Sequence, residues 1–421
     1  MERHELIIIG GGPAGLAAAV AAREAGIGDI LILERESALG GILNQCIHNG
    51  FGLHRFGEEL TGPEYADRFT SRVREMNIPY LTGAMVTDIA PDRTLTVSGA
   101  ACGLKRMQAG ALILAMGCRE RPRGALNIPG FRPAGIYSAG AAQRMINIEG
   151  RMPGHEIVIL GSGDIGLIMA RRLTLEGAHV KCVAELMPYS SGLKRNIVQC
   201  LDDFNIPLLL NHTVVEVRGK RRVEAIVLAR VDENHRPISG TEEVVPCDTL
   251  LLSVGLLPEN ELSELAGVEI DPATRGPRVR DNFETGVPGV FACGNVLHVH
   301  DLVDFVTAEA ARAGRAAAAY CAGKQTAEGR TLDIRNGSLV GYTVPQHVRM
   351  DADFTGADVF FRVRAVCGAS RIVVRDESGA QIASFRREHM APGEMENIRL
   401  PRVLLEKAQG AVTVSVEEEQ A

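Results

Sequence analysis

Two stretches of this chain carry the residue types needed to hold a pyrophosphate: Gly10-Gly11-Gly12-Pro13-Ala14-Gly15 and Gly161-Ser162-Gly163-Asp164-Ile165-Gly166. In such a loop one glycine makes the strand-to-helix turn, one lets backbone approach the phosphates, and one lets the helix pack on the strand. The phosphates then meet unpaired N–H groups at the positive end of the helix dipole. An acid follows each loop, Glu34 in the first copy and Glu185 in the second. A carboxylate roughly 20 residues after the first glycine hydrogen-bonds ribose hydroxyls. In the second copy Ala184 takes the place where the acid is expected, so Glu185 reads as one residue out of register. No Arg or Lys follows until Lys194 and Arg195, whereas a 2′-phosphate wants a cation near the strand end. The second loop therefore favours NADH over NADPH, and the pair of loops points to an enzyme that holds two dinucleotides at once.

A second kind of chemistry is available in Gly40-Gly41-Ile42-Leu43-Asn44-Gln45-Cys46-Ile47-His48-Asn49-Gly50-Phe51-Gly52. A thiolate at Cys46 could cycle through a sulfenic acid, and His48 could lower its pKa. The competing reading is a small buried side chain in a glycine-rich loop.

The elements around these residues repeat. Leu6-Ile7-Ile8-Ile9 and Ile157-Val158-Ile159-Leu160 read as strands, followed by helices that stop at Gly26 and Gly177 and by second strands ending at Glu34 and near Glu185. Short alternating strands come next, 85–90 with 94–98 and 214–218 with 223–231. Each set leads to an apolar strand ending in glycine: Ala111 to Gly117 and Leu250 to Gly255. A third segment, Val287 to Asn295, supplies a turn, a strand and a glycine before an Ala-rich helix from about Leu302 to Ala322, with Asp301 as its expected N-cap. The fold class is α/β: two Rossmann-like dinucleotide-binding domains, the first interrupted by the second. The expected boundaries are 1–120 and 257–323 for the first domain and 121–256 for the second, with Arg119, Glu120, Arg121 and Arg123 marking the crossing. Residues 330–421 read as an antiparallel, all-β domain whose Asp376-Glu377-Ser378-Gly379 is a hairpin turn.

Composition narrows the function. A net charge of −7 and a pI near 5.9 give no electrostatic reason to bind nucleic acid. No apolar run of about 18 residues is present for a membrane span. Nine cysteines, none in C-x-x-C spacing, and an N-terminus that reads as a strand rather than a signal peptide suggest reduced thiols and a cytoplasmic location. Dithiol chemistry is accordingly not expected. His298, His300, Asp301 and Asp304 have the composition of a metal cluster, but they sit where a helix must start, so capping and packing are expected rather than ligation.

The ordered motifs over residues 4–323 resemble the pyridine-nucleotide disulfide oxidoreductase superfamily, flavoproteins in which an FAD domain is interrupted by an NAD(P)H domain. The resemblance implies that Gly10, Gly12, Pro13, Ala14 and Gly15 hold the FAD pyrophosphate, with Glu34 and Arg35 at the adenosine ribose and Val86 at the adenine. Gly41, Ala115 and Gly117 would border FAD, Gly294 and Asn295 would meet the ribityl chain, and Leu302 and Val303 would face the flavin pyrimidine. Gly161, Gly163, Asp164, Ile165, Gly166, Glu185 and Gly255 would hold NAD. Asn295 departs from the usual Asp, which implies looser retention of FAD. Cys46 and His48 fall where relatives place residues beside the flavin.

The Cys46 loop, Glu185-Leu186-Met187-Pro188-Tyr189, Cys293-Gly294-Asn295 and Pro392-Gly393-Glu394-Met395-Glu396 make the chain similar to bacterial NADH-linked flavoproteins that accompany glycerol-3-phosphate dehydrogenase-like subunits. Sarcosine, opine and cyanide-forming oxidases contain more distant relatives. The resemblance implies hydride exchange between NAD(H) and FAD, a partner flavoprotein dehydrogenase or soluble acceptor, and the option of a homo-oligomer. Two other readings stay open: a free-standing NADH oxidase or peroxidase using Cys46, and a non-catalytic subunit that holds FAD for structure.

Overall fold

The computed structural model describes residues 1–324, 329–351 and 354–419. The expected β domain therefore includes four residues, 352–353 and 420–421, that lie outside this description. The chain forms two units, one of residues 1–118 and 258–421, the other of residues 119–257.

In the first unit, strand Glu2–Ile9 lies between Ile30–Leu33 and Gly103–Leu114 and is parallel to both. Its Leu6, Ile7, Ile8 and Ile9 are all buried, the continuous apolar run expected of a strand covered on both faces. Strand Gly103–Leu114 serves two arrangements: its first half pairs antiparallel with Thr94–Gly99, while its second half runs parallel to Glu2–Ile9 and Val290–Ala292. The small antiparallel excursion and the nucleotide-binding sheet are thus one continuous surface.

Helix Pro13–Glu24 starts with proline at its first position, where the missing N–H costs nothing. It packs on helix Val303–Cys321 at a point where a Cβ on Gly314 would lie 2.2 Å from Ala18 O. That close crossing fixes the third chain segment against the first glycine loop. Helix Gly62–Glu75 is held by a reciprocal cap between Thr61 and Glu64.

The second unit repeats the plan with a five-stranded parallel sheet in the order Ile136–Ser138, Thr249–Leu252, Glu156–Leu160, His179–Glu185, Leu208–Leu210. A three-stranded antiparallel sheet, His212–Arg218, Ala225–Arg230 and Glu243–Pro246, accompanies it. The fold is α/β with two Rossmann-like sheets and a C-terminal β-rich region.

That β-rich region differs from expectation in two ways. Its five-stranded sheet contains a parallel ladder, Ile334 opposite Val412, so it is not purely antiparallel. The cause is a long return connection that places strands Arg330–Asn336 and Val412–Glu418 side by side from opposite ends of the segment. Its core, from Leu332 to Val416, is its own, yet Val344 is buried in the core of the nucleotide-binding sheet. The region belongs to the first unit rather than being an appendage. Asp376-Glu377-Ser378-Gly379 does form the hairpin turn, with Gly379 N–H donating to Asp376 O.

Candidate functional site

The two glycine loops are built identically. Gly10 N–H donates to Leu33 O at 2.8 Å, and Gly161 N–H donates to Ala184 O at 2.7 Å. Leu33 and Ala184 are therefore equivalent, which puts Glu185 in register with Glu34 and removes the one-residue offset suggested by the sequence. Gly10 and Gly161 both have left-handed φ, +105° and +95°, and a Cβ on either would strike the end of the neighbouring parallel strand: Ala115 O at 2.3 Å or Ser253 O at 2.1 Å. Only glycine meets both demands.

Each acid is clamped by backbone. Glu34 accepts from Gly11 N–H at 2.7 Å and from Glu36 N–H at 2.7 Å. Glu185 accepts from Ser162 N–H at 2.9 Å and Met187 N–H at 3.0 Å, and also from the Ser162 hydroxyl at 2.6 Å. Both side chains are buried. An ionised carboxylate has about four acceptor positions, so each keeps capacity for a ribose hydroxyl while its direction is fixed.

The first loop fits an FAD pyrophosphate. A Cβ on Gly12 would find only Gly41 Cα, at 3.8 Å, so space above the loop is open. Helix Pro13–Glu24 has no side-chain cap and no acid in its first turn, leaving its N-terminal N–H groups for an anion. In the second loop Asp164 stands in the first helical turn, but its Oδ1 is taken by Leu193 N–H at 2.8 Å and Asn196 Nδ2 at 2.6 Å. Gly166 N–H donates to Ser253 Oγ at 3.1 Å, a contact that the sequence reading missed because Ser253 lies in a different strand end.

Around the first loop the structure gathers several expected residues. Gly41 faces Gly12, Gly294 faces Ala14, and Val86 is buried in the strand after Ala84, whose N–H donates to Glu34 O at 2.9 Å. Arg35 is exposed. Gly117 and Gly255 both take left-handed φ just past their strands. Asn295 uses both ends of its amide: Oδ1 accepts His300 N–H at 3.1 Å and Nδ2 donates to Cys118 Sγ at 3.5 Å. An Asp here would have no N–H to offer Cys118 and could only accept from its thiol.

The helix start departs from expectation. The N-cap of Val303–Cys321 is Leu302, and no side chain caps it. Asp301 instead accepts from Met395 N–H at 2.6 Å and pairs with Arg362 of the β-rich region. Asp304 accepts from Gly52 N–H at 3.2 Å and Arg55 N–H at 2.8 Å, tying the Cys46 loop to the helix start. The histidines separate from both aspartates: His298 and His300 Nε2 lie 2.9 and 3.2 Å from the same oxygen of Glu309. Glu309 was not singled out in the sequence, although an acid on the helix face shared by Val306, Ala310 and Ala313 was the available signal.

Cys46 has the surroundings of a packed thiol. Its Sγ donates to Ile42 O at 3.3 Å, and burial pushes the thiol up to about 12, the reverse of what a thiolate nucleophile needs. His48 Nδ1 meets Asn49 O at 2.9 Å and its ring lies against Phe51, 5.0 Å between centroids. All nine cysteines are free thiols.

Two glycine loops anchored by the same backbone bond, each with a buried acid clamped by backbone N–H groups, are the construction of a fold with two dinucleotide-binding halves. Residues 4–325 match the family model described as Pyridine nucleotide-disulphide oxidoreductase, and the chain belongs to that family. The family is one of flavoprotein oxidoreductases that bind FAD and NAD(P)H. An opine oxidase subunit from Agrobacterium tumefaciens (strain Ach5) is 26% identical over 63% of this chain and 55% of its own length. Hydrogen cyanide synthase subunit HcnB from Pseudomonas protegens is 26% identical over 62% of this chain and 59% of its own length. Thioredoxin reductase from Listeria monocytogenes is 27% identical over 70% of this chain and 86% of its own length. The chain thus spans little more than half the length of the first two of these relatives. Among solved structures, T. acidophilum thioredoxin reductase shares the fold at TM-score 0.61 and 21% identity, over 77% of this chain and 100% of that one. Among the described residues no helix is long and apolar enough to cross a membrane.

Proposed function

We propose that this protein moves a hydride between NAD(H) and FAD and exchanges the electrons with a partner flavoprotein dehydrogenase, of the glycerol-3-phosphate dehydrogenase type, or with a soluble acceptor. The observation that carries the reading is the paired clamp: Glu34 on Gly11 and Glu185 on Ser162. Gly10, Gly12, Pro13, Ala14 and Gly15 hold the FAD pyrophosphate, with Glu34 and Arg35 at its ribose, Val86 at its adenine, and Gly41, Ala115, Gly117, Gly294, Asn295, Leu302 and Val303 along the rest. Gly161, Gly163, Asp164, Ile165, Gly166, Glu185 and Gly255 hold NAD. When bound, the flavin supplies the hydride chemistry; the chain orients the cofactors and sets their electrostatics.

NADH is favoured over NADPH because Glu185 is fixed by three donors at the ribose position, where a 2′-phosphate would meet a buried carboxylate. The partner is proposed from the relatives, whose names describe subunits of an opine oxidase and a hydrogen cyanide synthase. The raised pKa of Cys46 counts against a thiol-based NADH oxidase or peroxidase. Anaerobic titration of the FAD-loaded protein with NADH and NADPH, then addition of acceptors, tests the reading. Bleaching by NADH first, recovered by an acceptor, is expected. FAD that no pyridine nucleotide bleaches would favour the non-catalytic, FAD-holding reading.

A further inference from the structure

Below the Gly294 turn lies a buried polar cluster that the proposed reaction does not use. Glu309 Oε1 accepts the N–H of Gly294 at 2.6 Å, while Oε2 faces Nε2 of His298 at 2.9 Å and of His300 at 3.2 Å. The three side chains are at most 1% exposed. Aromatic rings seal them: Phe360 lies 5.8 Å from the His298 ring and 5.9 Å from that of His300, and Tyr342 is edge-on to His298 at 6.2 Å.

These three residues are also the one group among the described residues with metal-ligand character, their ligand atoms lying within 4.8 Å of one another. Three observations weigh against a metal. Neither imidazole has a partner on Nδ1, whereas a metal-bound histidine normally donates its other N–H. The three side chains are at most 1% exposed, so solvent has no open path to supply a fourth ligand. It also has a single anion, and the Arg362 guanidinium lies close enough to oppose further positive charge. With both imidazoles neutral, each Nε2–H donates to Oε2, and every acceptor contact of Glu309 is a hydrogen bond to this one turn.

We infer that Glu309 is the positioning residue of the flavin seat, a buried anion that fixes the Gly294 to His300 turn before any cofactor binds. The turn is closed at both ends by this carboxylate, through Gly294 at its start and His298 and His300 at its finish. Between them Asn295 is aimed by His300 N–H and Cys118 Sγ. Because Glu309 consumes the Gly294 N–H, the turn gains its shape from the protein and presents Asn295 preformed. This inference rests on the assignment of FAD to the first glycine loop.

Glu309→Gln is the test, since it keeps size and one acceptor while removing the charge and setting the amide NH2 against either Gly294 N–H or both imidazole Nε2 atoms. Charge-assisted hydrogen bonds are about twice as strong as neutral ones, so the Kd for FAD is expected to rise about tenfold. The flavin midpoint potential should move in the positive direction, because loss of a buried negative charge near the cofactor favours the reduced form. A merely structural residue would not move the potential. Amide exchange at Gly294 in flavin-free wild type serves as the independent measurement. Protection is expected, and exchange at the rate of an open loop would overturn the inference whether or not the variant folds. Wild-type FAD affinity and potential in Glu309→Gln would also overturn it, as would one equivalent of transition metal that the variant releases. Wild-type protein that takes up no FAD at all would instead defeat the functional reading beneath it.

Discussion

Glu34 receives the backbone N–H of Gly11 at 2.7 Å, so the acid proposed for the ribose and the loop proposed for the phosphates are one rigid piece. Glu185 and Ser162 repeat the relationship in the second unit. Replacing Glu34 with Ala should raise the Kd for FAD roughly 10- to 100-fold, the range for losing hydrogen bonds to a charged group. Glu185→Ala should leave FAD binding alone and raise the KM for NADH with little change in kcat. Equilibrium dialysis with FAD and steady-state kinetics with NADH check the pair.

Glycine substitutions should separate folding from cofactor exclusion. A Cβ on Gly10 would lie 2.3 Å from Ala115 O in a left-handed backbone, so Gly10→Ala is expected to destabilise the protein itself by about 2 kcal/mol or more. A Cβ on Gly12 has only Gly41 Cα within reach, at 3.8 Å. Gly12→Val is therefore expected to melt close to flavin-free wild type yet remain colourless. An intact yellow Gly12→Val protein would contradict the placement of FAD.

Cys46 should behave as a packed side chain. With its thiol raised to about 12, alkylation at neutral pH should be slow, and Cys46→Ser should keep both the flavin spectrum and the rate of NADH-driven bleaching. A variant that loses either would restore the thiol reading.

Acid should weaken the fold through His298. Burial, reinforced by His300, lowers its pKa from 6.5 to about 4, overriding the attraction of Glu309. The unfolded chain therefore takes up a proton that the folded one refuses. This stabilising contribution is complete above pH 6.5, declines as the pH falls toward 4, and is on the order of 3 kcal/mol. Glu309, raised by burial but lowered further by His300 and His298, extends the loss below the ordinary carboxylate range. Denaturant titrations from pH 7 to pH 4 should show this slope, and His298→Gln should flatten it.

Local rules made the nucleotide halves legible. The glycine loops, the β-branched runs of Leu6 to Ile9 and Ile157 to Leu160, and the acids at Glu34 and Glu185 each obey a turn, strand or capping requirement readable within about thirty residues. What escaped was set by tertiary folding. Glu309 reaches back only 15 residues to Gly294 and 11 to His298, and its place on an apolar helix face marks it as buried, but the choice of those partners depends on how the loop folds back. Asp301 was drawn from capping duty by Arg362 and Met395, far downstream, with no local signature. The Cys46 loop was read for its chemistry, but the burial that raises its thiol comes from tertiary packing. Val344, a strand residue like many others, gives no sign in the sequence that it closes the core of the first sheet.

That closure changes what removal of the β-rich region should do. Since Val344 completes the nucleotide-binding core and Phe360 and Tyr342 cover His298, a chain ending before residue 330 should lose FAD and aggregate, rather than merely lose a partner. Flavin content and light scattering of the truncated protein report the outcome.

The most direct test is anaerobic stopped-flow mixing of the FAD-loaded wild type with NADH carrying deuterium at nicotinamide C4. Loss of the flavin's visible absorbance, slower with one deuterated face than with the other, is the expected result. A flavin that stays oxidised in the presence of bound NADH would contradict the exchange of hydride between two dinucleotides on this chain.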